Sequence, residues 1–304
     1  PIALLMGVYG RFLRPGRVGE ISAIGFVLLL AAIAAGGQVA ADPALAALFT
    51  FKGSTLALML AAYGFVASVL PVWLILAPRD YLSTFLKIGT IAALAVGILA
   101  VLPDLRMPAV TRFADGTGPV FSGKLFPFLF ITVACGAVSG FHALVSSGTT
   151  PKMIENEVQA RFIGYGAMLA ESAVAIMATI AASVIDPGVY FAMNSPAAAI
   201  GSSAEQGAKV ISGWGFPVTG DTLAEAARDV GETTLLSRAG GAPTLAVGMA
   251  DILARALGGR AALAYWYHFA ILFEALFILT TVDAGTRVAR FMIQDLVGAA
   301  VPAF

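Results

Sequence analysis

Long apolar runs alternate with short polar stretches along the chain, and this alternation predicts membrane helices. An apolar segment of about 20 residues is long enough to cross the hydrocarbon core of a bilayer as a helix. Six runs reach this length: residues 21–40, 55–77, 82–102, 125–147, 162–185 and 261–284. The pattern therefore predicts an all-α polytopic membrane protein, a partial helical bundle of about six to seven spans.

One stretch departs from this pattern. Residues 186–241 begin with Asp-Pro-Gly, continue through a Ser/Ala/Gly-rich segment and include an amphipathic piece at 222–230. They predict an external loop with a short surface helix. Residues 243–257 are apolar but too short to cross a membrane, and they predict a re-entrant or surface helix. We treat residues 1–304 as a single transmembrane domain.

Composition supports the membrane class and excludes others. Hydrophobic residues make up 59% of the 304 residues and charged residues 12%, about half the roughly 25% of a soluble domain. The 18 basic and 18 acidic residues balance, without a basic block, which argues against a nucleic-acid partner. One cysteine and two histidines cannot form an intrachain disulfide or a usual zinc site. We expect no metal and no cofactor.

Basic residues indicate the orientation in the membrane. Nine of the 18 fall in short stretches on one side of the predicted spans, against five acids: Arg11, Arg14, Arg17, Arg79, Lys87, Lys152, Arg161, Arg287 and Arg290. The other nine fall on the opposite side against ten acids, mostly inside one long loop. Because short cytoplasmic loops are enriched in Lys and Arg, the Arg11 side is predicted to be cytoplasmic. The chain begins within an apolar run and stops without a polar tail, so we expect an internal fragment that lacks helices at both ends.

Acidic residues inside the predicted spans are the first candidates for chemistry. Glu171 and Glu274 lie near the middle of their spans, where a carboxylate costs at least about 2.5 kcal/mol. They are candidates for binding a coupling proton, although a protonated carboxyl group that links two helices is the alternative. His142 is a third proton candidate, because histidine side chains can gain and lose a proton near neutral pH. Asp283 lies at a span end, where an i,i+4 pair with Arg287 explains it.

A polar stripe is the second candidate. Ser139, His142, Ser146 and Thr149 recur every three or four residues, so they share one helix face. Gly148 and Pro151 weaken the helix there, and broken helices expose groups that hold ions or substrate in transporters. The alternative is that the hydroxyl groups bond back to their own helix. The predicted substrate-binding residues are Ser139, Ser146, Ser147, Thr149, Thr150, Lys152 and Tyr267.

Long segments of the chain closely resemble the carbon starvation protein A family. They are residues 9–17 (YGRFLRPGR), 70–73 (LPVW), 78–87 (PRDYLSTFLK), 126–152, 186–196 (DPGVYFAMNSP), 237–244 (SRAGGAPT) and 266–287. The resemblance implies a bacterial inner-membrane transporter, induced on carbon starvation, that imports peptides or carboxylates such as pyruvate with protons. It also implies relatedness to the amino acid–polyamine–organocation superfamily, with inverted repeats, and members roughly twice as long.

The leading hypothesis is a proton-coupled secondary transporter and not an enzyme. Its coupling ion is H⁺, with Na⁺ left open, and its partners are peptides or pyruvate-like carboxylates and the lipid bilayer. A sensor or scaffold without flux is one alternative. An intramembrane enzyme is another, although no P-loop, HExxH or dinucleotide fingerprint occurs.

Overall fold

A computed structural model describes most of the chain. The described residues are 2–70, 74, 76–121, 123–127, 129–130, 133, 140–148, 150–152 and 154–300, with the side chains of Leu76, Ala77 and Lys152 excepted. These residues form helices and turns and contain no strand. The predicted all-helical class is thus confirmed over the described part of the chain.

Residues 125–127, 129–130 and 133 are helical, and thirteen further α-helices lie within the described residues. They are α1 (Ile2–Val8), α2 (Val18–Ala41), α3 (Pro43–Phe49), α4 (Gly53–Val69), α5 (Leu76–Val101), α6 (Gly140–Gly148), α7 (Gln159–Val184), α8 (Pro187–Asn194), α9 (Ala197–Ile200), α10 (Ala204–Gly213), α11 (Gly220–Asp229), α12 (Gly241–Ala256) and α13 (Leu263–Ala300). A π-helical turn, Tyr9–Leu13, follows α1, and short 3₁₀ turns lie at Arg112–Asp115, Thr150–Lys152 and Arg260–Ala262.

Four stretches are long and apolar enough to cross a membrane. They are Val18–Ala41, Pro78–Val101, Gln159–Val184 and Arg260–Ala300, and the bent pair of α3 and α4 makes a fifth if it is one span. Nine of the 23 residues of the predicted span 125–147 lie outside the described part of the chain, so the count of six to seven spans stays a prediction. The last helix differs in length from its prediction, because it continues past residue 284 to Ala300.

The first compact unit comprises residues 1–88, 140–153 and 276–304. Its helices approach closely at small residues. Gly25 of α2 lies against Met6 and Leu82, both of them buried. A methyl group added at Gly64 of α4 would lie 3.2 Å from Thr286 of α13. At the end of α4, Arg290 donates a hydrogen bond to the carbonyl oxygen of Ser68 at 2.6 Å.

The second compact unit comprises residues 89–139 and 154–275, and it holds a hydrophobic core that extends from Leu94 to Phe273 in sequence. Helix α7 packs on α12, and the short helices α8, α10 and α11 pack on one another. Aromatic rings fill the space beside α8: Phe113 lies 5.3 Å from Phe191 and 5.7 Å from Trp214 between ring centroids. Edge-to-face contacts of this kind add to the stability that burial provides.

Residues 186–241 contain four short helices, α8 to α11. Asp186 begins the first of them, because its Oδ1 accepts hydrogen bonds from the amides of Gly188 at 2.9 Å and Val189 at 3.4 Å. Pro187 follows at the first helical position, where a missing amide hydrogen costs nothing. Helix α11 buries Leu223 and Ala227. The location of this stretch outside the membrane stays a prediction, as does a re-entrant path for 243–257, where the structure has α12.

The contact between α7 and α12 is closest at Gly248, so a substitution there tests how tightly the two helices pack. A Cβ atom built at Gly248 of α12 would overlap the carbonyl group of Ala181 in α7. We predict that Gly248→Ala forces the two helices apart and lowers the free energy of unfolding by about 3 kcal/mol, at the upper end of typical overpacking costs. Thermal unfolding in detergent measures this change.

Gly166→Ala is the matched control. Gly166 lies in α7 with open space around its Cα atom, so an added methyl group meets nothing within 4 Å. It should leave the stability unchanged or raise it by about 0.5–1 kcal/mol, because alanine favours a helix over glycine. Equal melting temperatures for the two variants would contradict close packing at Gly248.

Candidate functional site

A cavity of about 870 Å³ lies within the second unit, beside the first turn of α12, and we call it the α12 cavity. Small-molecule sites in proteins typically have volumes of about 300–1,000 Å³. The lining combines apolar side chains with a few polar groups. The polar side chains among them are those of Thr179, Ser183, Tyr190, Asn194, Thr244 and Glu274.

Asn194 fixes the shape of the cavity by joining the end of α8 to the start of α12. Its side chain is buried, 7% exposed, and its Oδ1 accepts a hydrogen bond from the amide of Gly240 at 3.2 Å. Its Nδ2 donates to Thr244 Oγ1 at 2.9 Å and to the carbonyl oxygen of Tyr190 at 3.1 Å. Thr244 in turn donates to the carbonyl oxygen of Gly240 at 2.9 Å. One side chain therefore holds both helix ends.

Glu274 supplies the carboxyl group of the α12 cavity. It lies on α13, half-buried, and the described side chains include no hydrogen-bond or ion-pair partner for it. A carboxylate without a partner is costly in apolar surroundings, and binding a proton removes that cost. Glu274 is therefore placed to bind a proton where a ligand would lie.

Tyr190 and the start of α12 supply hydrogen-bond donors. Burial raises the pKa of the Tyr190 phenol above its ordinary value of 10.0. The phenol keeps its proton at neutral pH and can donate it in a hydrogen bond. Gly240, with φ 132°, leads into α12, where the first amides of the helix carry a partial positive charge. The α12 cavity thus combines donors suited to an anionic group with one carboxyl group suited to a proton.

A separate group of charged residues lies in the first unit. Asp283 of α13 is 2% exposed and pairs with Arg79 of α5, while Tyr63 of α4 donates a hydrogen bond to the same carboxylate oxygen at 3.1 Å. Lys87 donates to Thr280 Oγ1 at 2.7 Å and lies 4.9 Å from the centroid of the Phe277 ring. These contacts join three helices through charge.

The predicted hydroxyl groups of α6 bond to their own backbone. Ser146 and Ser147 donate to the carbonyl oxygen of Ala143 at 3.1 and 2.7 Å, and Thr150 donates to that of Val145 at 3.1 Å. Each hydroxyl oxygen can still accept a hydrogen bond from a ligand. Ser139, Thr149 and the side chain of Lys152 lie outside the described residues. A role of these residues in binding substrate stays a prediction.

The other predicted residues fall in different places. Glu171 is exposed on α7, and His142 is exposed on α6. Tyr267 is fully buried, and its hydroxyl oxygen accepts a hydrogen bond from Arg238 at 3.2 Å. Arg238 also makes two hydrogen bonds to Glu232, each 2.7 Å long. The structure brings Glu274 into a cavity, and the roles predicted for the others stay predictions.

Asn194, Tyr190 and Thr244 were not singled out from the sequence. Two signals were available: Asn194 is a polar residue that closes an apolar run before Ser-Pro, and Gly-Gly-Ala-Pro at 240–243 is typical of a helix start. Their partners lie about 50 residues apart in sequence. A local pattern cannot show such a pairing.

The long apolar helices and the α12 cavity together define the class of protein to which the chain belongs. The chain is a multi-pass helical membrane protein with a polar cavity. It belongs to the carbon starvation protein CstA family, which matches residues 1–304. This confirms the family resemblance seen in the sequence.

Curated relatives with high identity carry transporter names. The peptide transporter CstA of Escherichia coli K12 is 66% identical over 99% of this chain. The pyruvate/proton symporter BtsT of the same organism is 57% identical over 99% of the chain. The peptide transporter CstA of Bacillus subtilis is 45% identical over 98%. The chain spans 44%, 45% and 47% of their respective lengths. No solved structure matches the chain.

The pair between Arg79 and Asp283 predicts a large loss of stability for Asp283→Asn. The substitution leaves Arg79, with a side chain 13% exposed, without its buried counter-ion. Unbalanced buried charges typically cost 3–5 kcal/mol. Asp80 remains 3.7 Å from Arg79 and is 44% exposed, so we expect about 3 kcal/mol. Chemical denaturation in detergent measures this loss.

Asp251→Asn is the matched control for that measurement. Asp251 pairs with Arg255 at 2.8 Å, but both side chains are substantially exposed, at 29% and 42%. Such i,i+4 pairs contribute only about 0.5 kcal/mol. A loss of the same size in both variants would show that Asp283 is no more important than a surface acid.

Asn194 gives a third prediction. Asn194→Ala removes the acceptor of the Gly240 amide and the donor to Thr244. Leaving such buried groups unsatisfied costs about 1–3 kcal/mol each. We predict faster amide hydrogen exchange at residues 240–244 in the variant than in the unsubstituted protein. Thr179→Ala, which removes only a bond to its own helix, should not change exchange there.

Proposed function

We propose that this chain forms part of a proton-coupled importer of peptides or of small carboxylates such as pyruvate. The names of its relatives support this: one is a peptide transporter and another a pyruvate/proton symporter. The observation that carries the proposal is the carboxyl group of Glu274 in the α12 cavity. No catalytic function is proposed.

The α12 cavity is the proposed substrate site. The carboxylate of pyruvate, or of a peptide, would accept hydrogen bonds from Tyr190 and from the first amides of α12. Helix N-termini bind anionic groups in this way in other transporters. The cavity volume of about 870 Å³ accommodates a molecule the size of a dipeptide.

Electrostatics explain how Glu274 would couple the substrate to a proton. An ionised Glu274 repels a substrate carboxylate in the same cavity, because like charges interact strongly where water is scarce. A protonated Glu274 is neutral and removes that repulsion. The bound proton therefore raises the affinity for the anionic substrate, and the bound substrate raises the affinity for the proton. Energetic coupling of this kind drives symport, and by linkage it is reciprocal.

We also propose roles in proton binding and substrate binding for the other residues predicted from the sequence. Glu171 and His142 are the alternative proton carriers, and Na⁺ is the alternative ion. The proposed further contacts with substrate are Ser139, Ser146, Ser147, Thr149, Thr150, Lys152 and Tyr267. Lys152 would guide an anion at the cytoplasmic mouth.

The finer topology is also part of the proposal. We propose a bacterial inner-membrane location with the Arg11 side cytoplasmic, which the nine basic residues on that side of the predicted spans support. We propose six to seven spans in this chain and an inverted-repeat architecture of the amino acid–polyamine–organocation type. Two features support the inverted-repeat architecture: the break between α7 and α8, and the separate helix α12. Transporters with inverted repeats contain discontinuous helices of this kind.

Proteoliposomes test the coupling role of Glu274. The full-length protein that carries this chain is reconstituted, and uptake of labelled pyruvate and of a labelled dipeptide is followed with and without an inward proton gradient. We predict gradient-driven accumulation that Glu274→Gln abolishes, because a neutral amide mimics the protonated acid permanently. Exchange of external for internal substrate at equal pH should persist in the variant.

Glu171→Gln is the control within the same experiment. Glu171 lies on the exposed face of α7, so the substitution should leave accumulation within about twofold of the unsubstituted protein. Loss of accumulation in Glu171→Gln alone would move the coupling role to that residue. Accumulation driven by a sodium gradient instead of a proton gradient would show that Na⁺ is the coupling ion. If neither solute were transported, the result would favour the sensor hypothesis.

A further inference from the structure

Three arginines crowd the connection between α1 and α2. Arg11, Arg14 and Arg17 lie within seven residues, and all three are exposed. The connection is compact: the amide of Arg14 donates to the carbonyl oxygen of Tyr9 at 2.9 Å, and Gly16, with φ 81°, turns the chain into α2. The only carboxylate within this sequence segment is that of Glu20, which lies 3.7 Å from Arg17. The segment therefore carries a net positive charge.

Apolar side chains accompany these arginines. Phe12 and Leu13 are 69% and 66% exposed, so the segment presents apolar side chains next to its basic groups. Residues with apolar bodies beside basic groups are typical of the boundary between headgroups and acyl chains. Helix α2 starts directly after this segment, and Gly25 is its one buried residue, so the helix presents most of its surface to its surroundings.

A groove runs along the base of α2 beside the arginines. It has a volume of about 400 Å³, and Arg11 is the one of the three arginines that lines it. The rest of its lining comes from α1, the turn after it, the first turns of α2 and the first turns of α5: Met6, Gly7, Gly10, Val18, Ile21, Pro78 and Tyr81. Gly10 keeps the groove open, since a methyl group there would lie 3.0 Å from Ile21 Cδ1.

We propose that the three arginines and this groove form a binding site for an anionic phospholipid of the bilayer. The phosphate of the headgroup would interact with Arg11, Arg14 and Arg17, because guanidinium groups match phosphate oxygens in geometry and charge. The first part of one acyl chain would lie in the apolar groove. Charge complementarity selects an anionic over a zwitterionic lipid, and basic clusters at the ends of membrane helices select such lipids elsewhere.

Native mass spectrometry of the full-length protein tests the site. The protein is released from nanodiscs that contain phosphatidylglycerol and phosphatidylcholine in equal amounts, and the lipids that stay bound are counted. We expect retained phosphatidylglycerol. Arg11→Gln/Arg14→Gln/Arg17→Gln should weaken its binding about a hundredfold, from roughly a fivefold loss per basic residue near the membrane surface.

Two further variants separate charge from shape. Arg11→Lys/Arg14→Lys/Arg17→Lys keeps the charge and should retain most of the lipid. Val18→Trp fills the groove, keeps every arginine and should reduce retention severalfold. Lys52→Gln/Lys209→Gln/Arg228→Gln removes three exposed cations elsewhere and should change nothing.

Several outcomes would overturn the proposal. Equal retention of both lipids would show that charge does not select the ligand. Soluble glycerol phosphate that displaces phosphatidylglycerol at equal concentration would show a phosphate site without an acyl groove. A photoreactive residue at position 18 that crosslinks to polypeptide in the full-length protein, and not to lipid, would show that protein covers the groove.

Discussion

The hydrogen bonds of Asn194 are the constraint on which the second unit depends. A helix that ends inside apolar surroundings leaves backbone amides and carbonyls unsatisfied, and each must find a partner. Helix α7 ends at Val184 and α12 begins at Gly241, and the intervening ends are held by Asp186, Asn194 and Thr244. Because Asn194 serves two ends at once, α8 and α12 cannot move apart freely. The α12 cavity is the space that this arrangement leaves open.

Asp283 and Glu274, the two acids of α13 within the apolar region, differ in their partners. Asp283 is buried with Arg79 and Tyr63, so its charge is compensated by fixed partners on two other helices. Glu274 lies nine residues earlier on the same helix, but it lines a cavity, and its carboxyl group is left to a proton or a ligand. A compensated charge stabilises packing, whereas an uncompensated one responds to what enters the cavity. This difference supports a structural role for the first and a coupling role for the second.

The main apolar helices could be predicted from the sequence, because length and hydrophobicity alone decide whether a helix crosses a bilayer. The end of α13 could not. Charged residues after residue 284 indicate the end of a span, yet the helix continues, with Arg290 bonded to the carbonyl oxygen of Ser68.

Glu274 of the candidate site could be singled out from the sequence as an acid inside a span. Asn194, Tyr190 and Thr244 could not, because their importance arises from contacts between distant segments, which periodicity does not contain. Asp283 shows the same limit: the sequence indicates a local pair with Arg287, whereas the ion pair with Arg79 joins two helices and leaves no local pattern.

Proton binding on addition of substrate tests the central claim most directly. The full-length protein in detergent, in weakly buffered solution with a pH indicator, is mixed with pyruvate or a dipeptide, and the protons taken up are counted against the substrate bound. If Glu274 couples the two, the protein takes up about one proton per bound substrate when the carboxyl group is ionised beforehand, and Glu274→Gln binds substrate without proton uptake. Proton uptake of the same size in Glu274→Gln would contradict the account. So would binding of substrate to the unsubstituted protein without any uptake from mildly acidic to alkaline pH.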